Sequence, residues 1–188
     1  MEKHRCGWCL GDDLYEAYHD LEWGGKPVYD DQTLFEFLIL ETMQAGLSWI
    51  TILKKRANYY DALDQFDVQK IANYNQNKQD ELLMNAGIIR NKLKIKSIIT
   101  NAQLFMEIQK EFGSFSQYIW NYVDGKPIKN QVLDYKTAPA NTALSDQISK
   151  DLKKRGFKFV GSTIMYAFMQ ATGMVNDHEI NCHRYDEV

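Results

Sequence analysis

Only three cysteines occur among 188 residues. A small, odd number cannot build a disulfide framework, and it points to a reducing compartment or a metal site. Three prolines and eleven glycines are too few for a linker-rich or fibrous chain. No apolar run approaches the ~20 residues that span a bilayer. The opening stretch Met1–Cys6 lacks the apolar centre of a secretion signal. A cytoplasmic protein with no membrane partner is expected. Hydrophobic residues make up 45%, enough for a sizeable core. At about 150 residues per domain, the length fits one domain over 1–188, or a tight two-lobed unit.

The net charge of −3 argues against a general nucleic-acid coat. Its distribution says more. Residues 1–50 hold three basic and ten acidic side chains, and residues 51–110 hold ten and six. Basic runs stand at Lys54-Lys55-Arg56, from Arg90 to Lys96, and from Lys150 to Lys158. Each alone reads as a solvated helix face. Together they suit a phosphate-facing surface, if folding joins them.

Apolar spacing is helical nearly throughout, so the fold class is all-α. Asp31 can cap a helix carrying Leu34, Phe35, Leu38 and Leu40. Gly46 breaks or bends that apolar run. Shorter helices fit 66–74 and 80–86, and a long amphipathic one fits Lys92 to Phe112. A helix follows Gly113-Ser114. Asp124-Gly125 opens a polar connection whose length suggests a function. Helices resume at 145–155 and 162–171.

Glu41 is oddly placed, because Leu34, Phe37, Leu38 and Ala45 share its helix face. A carboxylate is expensive to bury unpaired. It could be a structural acceptor for a helix N-terminus or a basic side chain. The neighbouring bend Gln44-Ala45-Gly46-Leu47-Ser48-Trp49 favours a binding role instead. A carboxylate beside an indole face suits a flat cationic ring. Trp8, Tyr15, Tyr18 and Trp23 crowd the acidic N-terminal segment. They fit core packing, or a pocket for a flat ligand.

All cysteines and histidines lie near one end of the chain or the other: Cys6, Cys9, Cys182, His4, His19, His178 and His183. His178 and Cys182 can face one atom, and spacing alone nominates Cys6-x-x-Cys9 as the other half of a zinc site. Three reduced thiols with unrelated histidines remain the alternative. A closed shell would clip the two ends together and serve stability. Near the C-terminal end, Lys153-Lys154-Arg155-Gly156-Phe157-Lys158-Phe159-Val160-Gly161-Ser162 reads as helix, hairpin, helix. Gly156 can stop the first helix, and Gly161 permits close backbone approach to a neighbour. The N–H groups starting the second helix form an anion site that binds phosphate without reading a base.

In order along the chain, these segments resemble the bacterial 3-methyladenine-DNA glycosylase I family of the helix-hairpin-helix DNA glycosylases. The stretches that carry the resemblance include Arg5-Cys6-Gly7-Trp8, Leu14 to Asp20, Glu22-Trp23-Gly24, Leu40-Glu41, Gln44 to Arg56, Ala86 to Arg90, Lys153 to Gly161 and Val175-Asn176-Asp177-His178. The resemblance implies a compact helical fold with a helix-hairpin-helix near 145–172. It implies a monofunctional, monomeric enzyme that flips 3-methyladenine out of alkylated double-stranded DNA and hydrolyses its N-glycosidic bond. It assigns Glu41, Tyr18 and Trp49 to holding the base, with Glu41 the catalytic residue, and Tyr15, Trp8 and Trp23 to lining or supporting the pocket. Gly46 and Leu47 match a duplex wedge, and Gly156, Lys158, Gly161 and Ser162 match the phosphate-binding hairpin. Cys6, His19, His178 and Cys182 match a structural zinc site, which displaces Cys9. Asn176 stands where wider relatives place a catalytic aspartate, and the hairpin has no lysine for a Schiff-base step.

Overall fold

The computed structural model of the protein describes residues 3–187. Ten α-helices dominate the described residues: α1 (Asp13–Leu21), α2 (Asp31–Gln44), α3 (Trp49–Leu53), α4 (Arg56–Ala62), α5 (Val68–Ala72), α6 (Gln76–Met84), α7 (Lys92–Phe112), α8 (Phe115–Trp120), α9 (Ala143–Arg155) and α10 (Ser162–Ala171). Caps account for many of these boundaries. The Asn91 and Ser114 side chains cap α7 and α8, and Gly113 ends α7 at φ +88°.

The cap of α2 is Asp30, not Asp31, whose carboxylate reaches across instead. It accepts from the Phe115 and Ser116 amides at 2.9 and 2.7 Å and so caps α8 from outside. Glycine at 46, with φ +76°, does break the apolar run after α2.

Every residue from Phe37 to Met43 is buried, so α2 is wrapped on all sides rather than along one stripe. It packs against α3, α7, α8 and α10, while α5 and α6 lie on α7 and α9 pairs with α10. Phe105 joins these layers, stacked on Phe115 at 4.2 Å and edge-on to Phe35 at 5.0 Å. A carboxylate on such a helix has no solvent route unless a cavity opens beside it.

Two very short strands form one parallel pair, β1 (Ile128–Lys129) with β2 (Val175–Asn176), extended by a bridge between Val132 and Glu179. Two-residue strands carry no alternating pattern, so the sequence does not announce them. They fasten the 124–142 connection to the segment that follows α10.

Candidate functional site

A cavity of about 220 Å³ opens beside the C-terminal half of α2. Trp8, Tyr15, Tyr18 and Trp23 wall it from the N-terminal segment, and Glu41, Gln44 and Trp49 line it from α2 and the start of α3. All six residues expected to contact the base therefore share one slot. Tyr18 and Trp49 lie 5.4 Å apart, tilted by 45°. Trp8 packs edge-on against Tyr15 and Trp23, each at 4.8 Å.

Glu41 is 2% exposed, and nothing in the described residues donates to its Oε2. The structural reading, a buried acceptor held by a helix end or a basic side chain, thus lacks its donor. Burial alone pushes the Glu41 carboxyl well above the usual carboxylate range. Burial, and then the nearby Glu41, likewise raise the Tyr18 phenol. Gln44 Oε1 and the Trp8 and Trp49 indole nitrogens are also buried without a protein partner. The four side chains line one cavity, where a bound molecule could satisfy these atoms.

Sequence reasoning missed several walls. Gln44 follows Glu41 by three residues on α2 and so shares its face, a spacing that could have flagged it. Tyr135 and Ala138 arrive from the 124–142 connection, which explains its length. Gln170 and Asp177 close the far side. Asp177 is buried and already engaged, accepting from Tyr166 Oη at 2.6 Å, Gln170 Nε2 at 2.8 Å and Asn130 Nδ2 at 2.6 Å.

The expected DNA-contacting residues lie outside the slot, on two loops. Leu47, beside Gly46, is 41% exposed. Gly156 ends α9 at φ +106°, Lys158 is exposed, and Gly161 precedes Ser162 at the start of α10. A Cβ built on Gly161 would meet nothing within 4 Å. Among the described residues no neighbour comes close, and the hairpin presents open backbone.

Two members of the first basic run already have carboxylate partners. Lys54 pairs with Asp12 at 2.8 Å, and Arg56 binds Glu22 and Glu36 at 2.6 and 2.7 Å. Within the second run Lys94 is buried, whereas Arg90, Lys92 and Lys96 are exposed.

Cys6, His19, His178 and Cys182 offer ligand atoms that all lie within 4.8 Å of one another, and all four residues are buried. Cys9 stands apart, donating its thiol to the Cys6 carbonyl at 3.2 Å. Tetrahedral zinc with ordinary bond lengths would separate two nitrogens by roughly 3.3 Å and a nitrogen from a sulfur by about 3.6 Å. The two imidazoles approach to 3.2 Å, and the nitrogen–sulfur separations are 3.5 to 3.6 Å.

The surroundings fit a metal too. His178 Nε2 donates to the Trp23 carbonyl at 2.9 Å, and His19 Nδ1 donates to Asp20 at 2.9 Å, which leaves each opposite nitrogen free to ligate. Burial works against the Asp20 carboxylate, but bonds from Arg5 and His19 hold it at about 2. The Glu179 and Arg184 amides point at the Cys6 and Cys182 sulfurs. Close together and buried, the two thiols divide: that of Cys6 is pushed up and that of Cys182 is pulled down. The group could hold a metal with four protein ligands.

A helical shell around a slot walled by aromatics and a buried carboxylate is the fold of a DNA glycosylase. The chain belongs to the methyladenine glycosylase family, whose pattern matches residues 8–185. It is 48% identical to DNA-3-methyladenine glycosylase 1 of Escherichia coli strain K12, over 96% of each chain. A crystal structure of a 3-methyladenine DNA glycosylase I superposes with a TM-score of 0.92 at 49% identity, covering 96% of this chain and 98% of the other. A 3-methyladenine DNA glycosylase I from Staphylococcus aureus, solved to show the basis of 3-methyladenine recognition, gives 0.91 at 37% identity over 95% of each chain.

Proposed function

We propose that this protein excises 3-methyladenine from alkylated double-stranded DNA, as a cytoplasmic monomer built from one domain over 1–188. The observation that carries the reading is the buried, unpartnered Glu41 oxygen in a slot shared with Tyr18 and Trp49. N3-methylation leaves adenine cationic. Such a ring brings the charge and N–H groups that Glu41 lacks, and Trp49 can stack on its face. Trp8, Tyr15 and Trp23 complete the walls.

Base flipping costs a few kcal/mol, least at a damaged base. Leu47, carried by the Gly46 turn, would fill the gap left in the duplex. The hairpin from Gly156 to Ser162, including Lys158 and Gly161, would hold a backbone phosphate through its amides, as a helix-hairpin-helix does. In the slot, Glu41 favours the sugar–base bond breaking by holding the departing ring. The glycosidic pair of electrons stays with the ring, which leaves as neutral 3-methyladenine. Water oxygen bonds to the sugar carbon, and its proton passes to solvent. A cationic leaving group needs no strong general base, in keeping with Asn176 and with an Asp177 already engaged by three donors.

Cys6, His19, His178 and Cys182 would hold zinc as a clip. Four protein ligands leave no open position, so the metal supplies stability rather than hydrolytic chemistry.

The experiment is to incubate the purified protein with methylated duplex DNA and analyse the released bases. Free 3-methyladenine, with no strand cleavage by the enzyme itself, supports the reading. A non-catalytic DNA-binding module would retain the DNA and release nothing, but it has no use for an unpaired, buried carboxylate in an aromatic slot.

A further inference from the structure

The two loops assigned to DNA are both pinned by one helix. Lys94 and Asn101 lie seven residues apart on α7, about 10 Å along its axis and on one side. Both are buried, with Asn101 fully so.

Lys94 Nζ donates to the carbonyls of Met43 and Ala45, each at 2.7 Å. These are among the orphan acceptors at the end of α2. They bracket Gln44, whose amide faces the slot, and they immediately precede Gly46 and Leu47. A cation there also complements the helix dipole. Ser97 closes the turn below by donating to the Lys94 carbonyl at 2.6 Å.

Asn101 does the same for the hairpin with a neutral group. Its Nδ2 donates to the Lys158 carbonyl at 3.1 Å, and its Oδ1 accepts from the Lys158 amide at 2.9 Å. The next residue, Phe159, holds φ +58°, a left-handed conformation that a non-glycine residue keeps only when its surroundings impose it. Ser149 secures the following carbonyl, that of Val160, at 2.6 Å.

We propose that Lys94 and Asn101 are positioning residues that make α7 a ruler between the wedge and the phosphate-binding hairpin. A duplex offers its phosphate and its flipping site at a fixed separation. Two loops tied to one rigid helix meet both at once, without an ordering step on binding. This inference rests on the excision reading above and adds residues that touch neither base nor phosphate.

The test compares Lys94→Met and Asn101→Leu with the parent protein on methylated duplex, on methylated single strands, and with free 3-methyladenine by calorimetry. Excision from duplex is expected to fall about tenfold or more in each variant. For Lys94→Met the loss lies in kcat and is smaller on single strands, where no partner strand needs wedging. For Asn101→Leu it lies in KM, and the salt slope of duplex binding shrinks by about one phosphate contact. Affinity for the free base should fall far less than excision, because neither side chain lines the slot itself.

Duplex excision within twofold of the parent overturns the inference, as does free-base affinity falling in step with excision. Should either variant melt, Lys94→Gln and Asn101→Ser carry the same comparisons. A parent protein that releases no base defeats the excision reading instead, so the two failures are distinct.

Discussion

Glu41 keeps its proton in the fold at pH values where the unfolded chain has lost it, because burial raises its carboxyl. The unfolded state then binds fewer protons, so stability falls as pH climbs above the ordinary glutamate value of about 4.3. Replacing Glu41 by Gln should flatten that slope, and denaturant titrations at pH 5 and pH 8 would show the gain concentrated at the higher pH. The same variant should lose about 10²- to 10³-fold in excision rate, the usual effect of removing one preorganised hydrogen-bonding group from an active site. A variant with both normal excision and the parent pH slope would remove Glu41 from the chemistry and from the burial argument together. Trp49→Ala tests the stacking half: affinity for free base should drop about tenfold, the size of one base–aromatic stacking contact.

At the scale of elements, Gly161 separates folding from binding. Its φ of −61° suits any residue, and a Cβ would touch nothing in the protein. Gly161→Ala should therefore shift stability by no more than about 1 kcal/mol, the span of N-cap preferences. Duplex affinity should fall clearly, since the added methyl stands where a phosphate would approach; unchanged affinity in a binding titration would mean that the hairpin does not meet DNA there.

The helices themselves are largely legible in the sequence. The limits of α7 follow from apolar spacing, the Asn91 cap and the terminating Gly113, and α8 begins at the Ser114 cap. The first half of the slot is legible as well, because Glu41 breaks an apolar face and Trp49 lies on the adjoining bend. Tyr135 and Asp177 are not legible, because they reach the slot through a two-residue parallel pairing that leaves no period to read. Lys94 looks like one more solvated lysine in a basic run, and only tertiary packing shows it capping α2.

For the whole molecule, the Cys/His cluster ties the segment around Cys6 to that around Cys182, helped by the His183 amide bonding the His4 carbonyl at 2.9 Å. Elemental analysis should find one zinc per chain. Chelation should lower the melting temperature by about 10 °C or more, because the metal's binding energy is folding energy. Activity should fade only as the protein unfolds. If a chelator silenced excision while the melting curve stayed put, the metal would be taking part in the reaction.

Trp23 stands between the two sites, 4.8 Å from both the His178 ring and the Trp8 ring, and Trp8 is 5.5 Å from His19. The cluster's outer layer is thus also the slot's inner wall. Light emission from these two indoles should therefore respond both to base arrival and to metal loss, whereas Trp49, away from the cluster, should register only the base. A set of single-tryptophan variants would let one cuvette tell an empty slot from an opened clip.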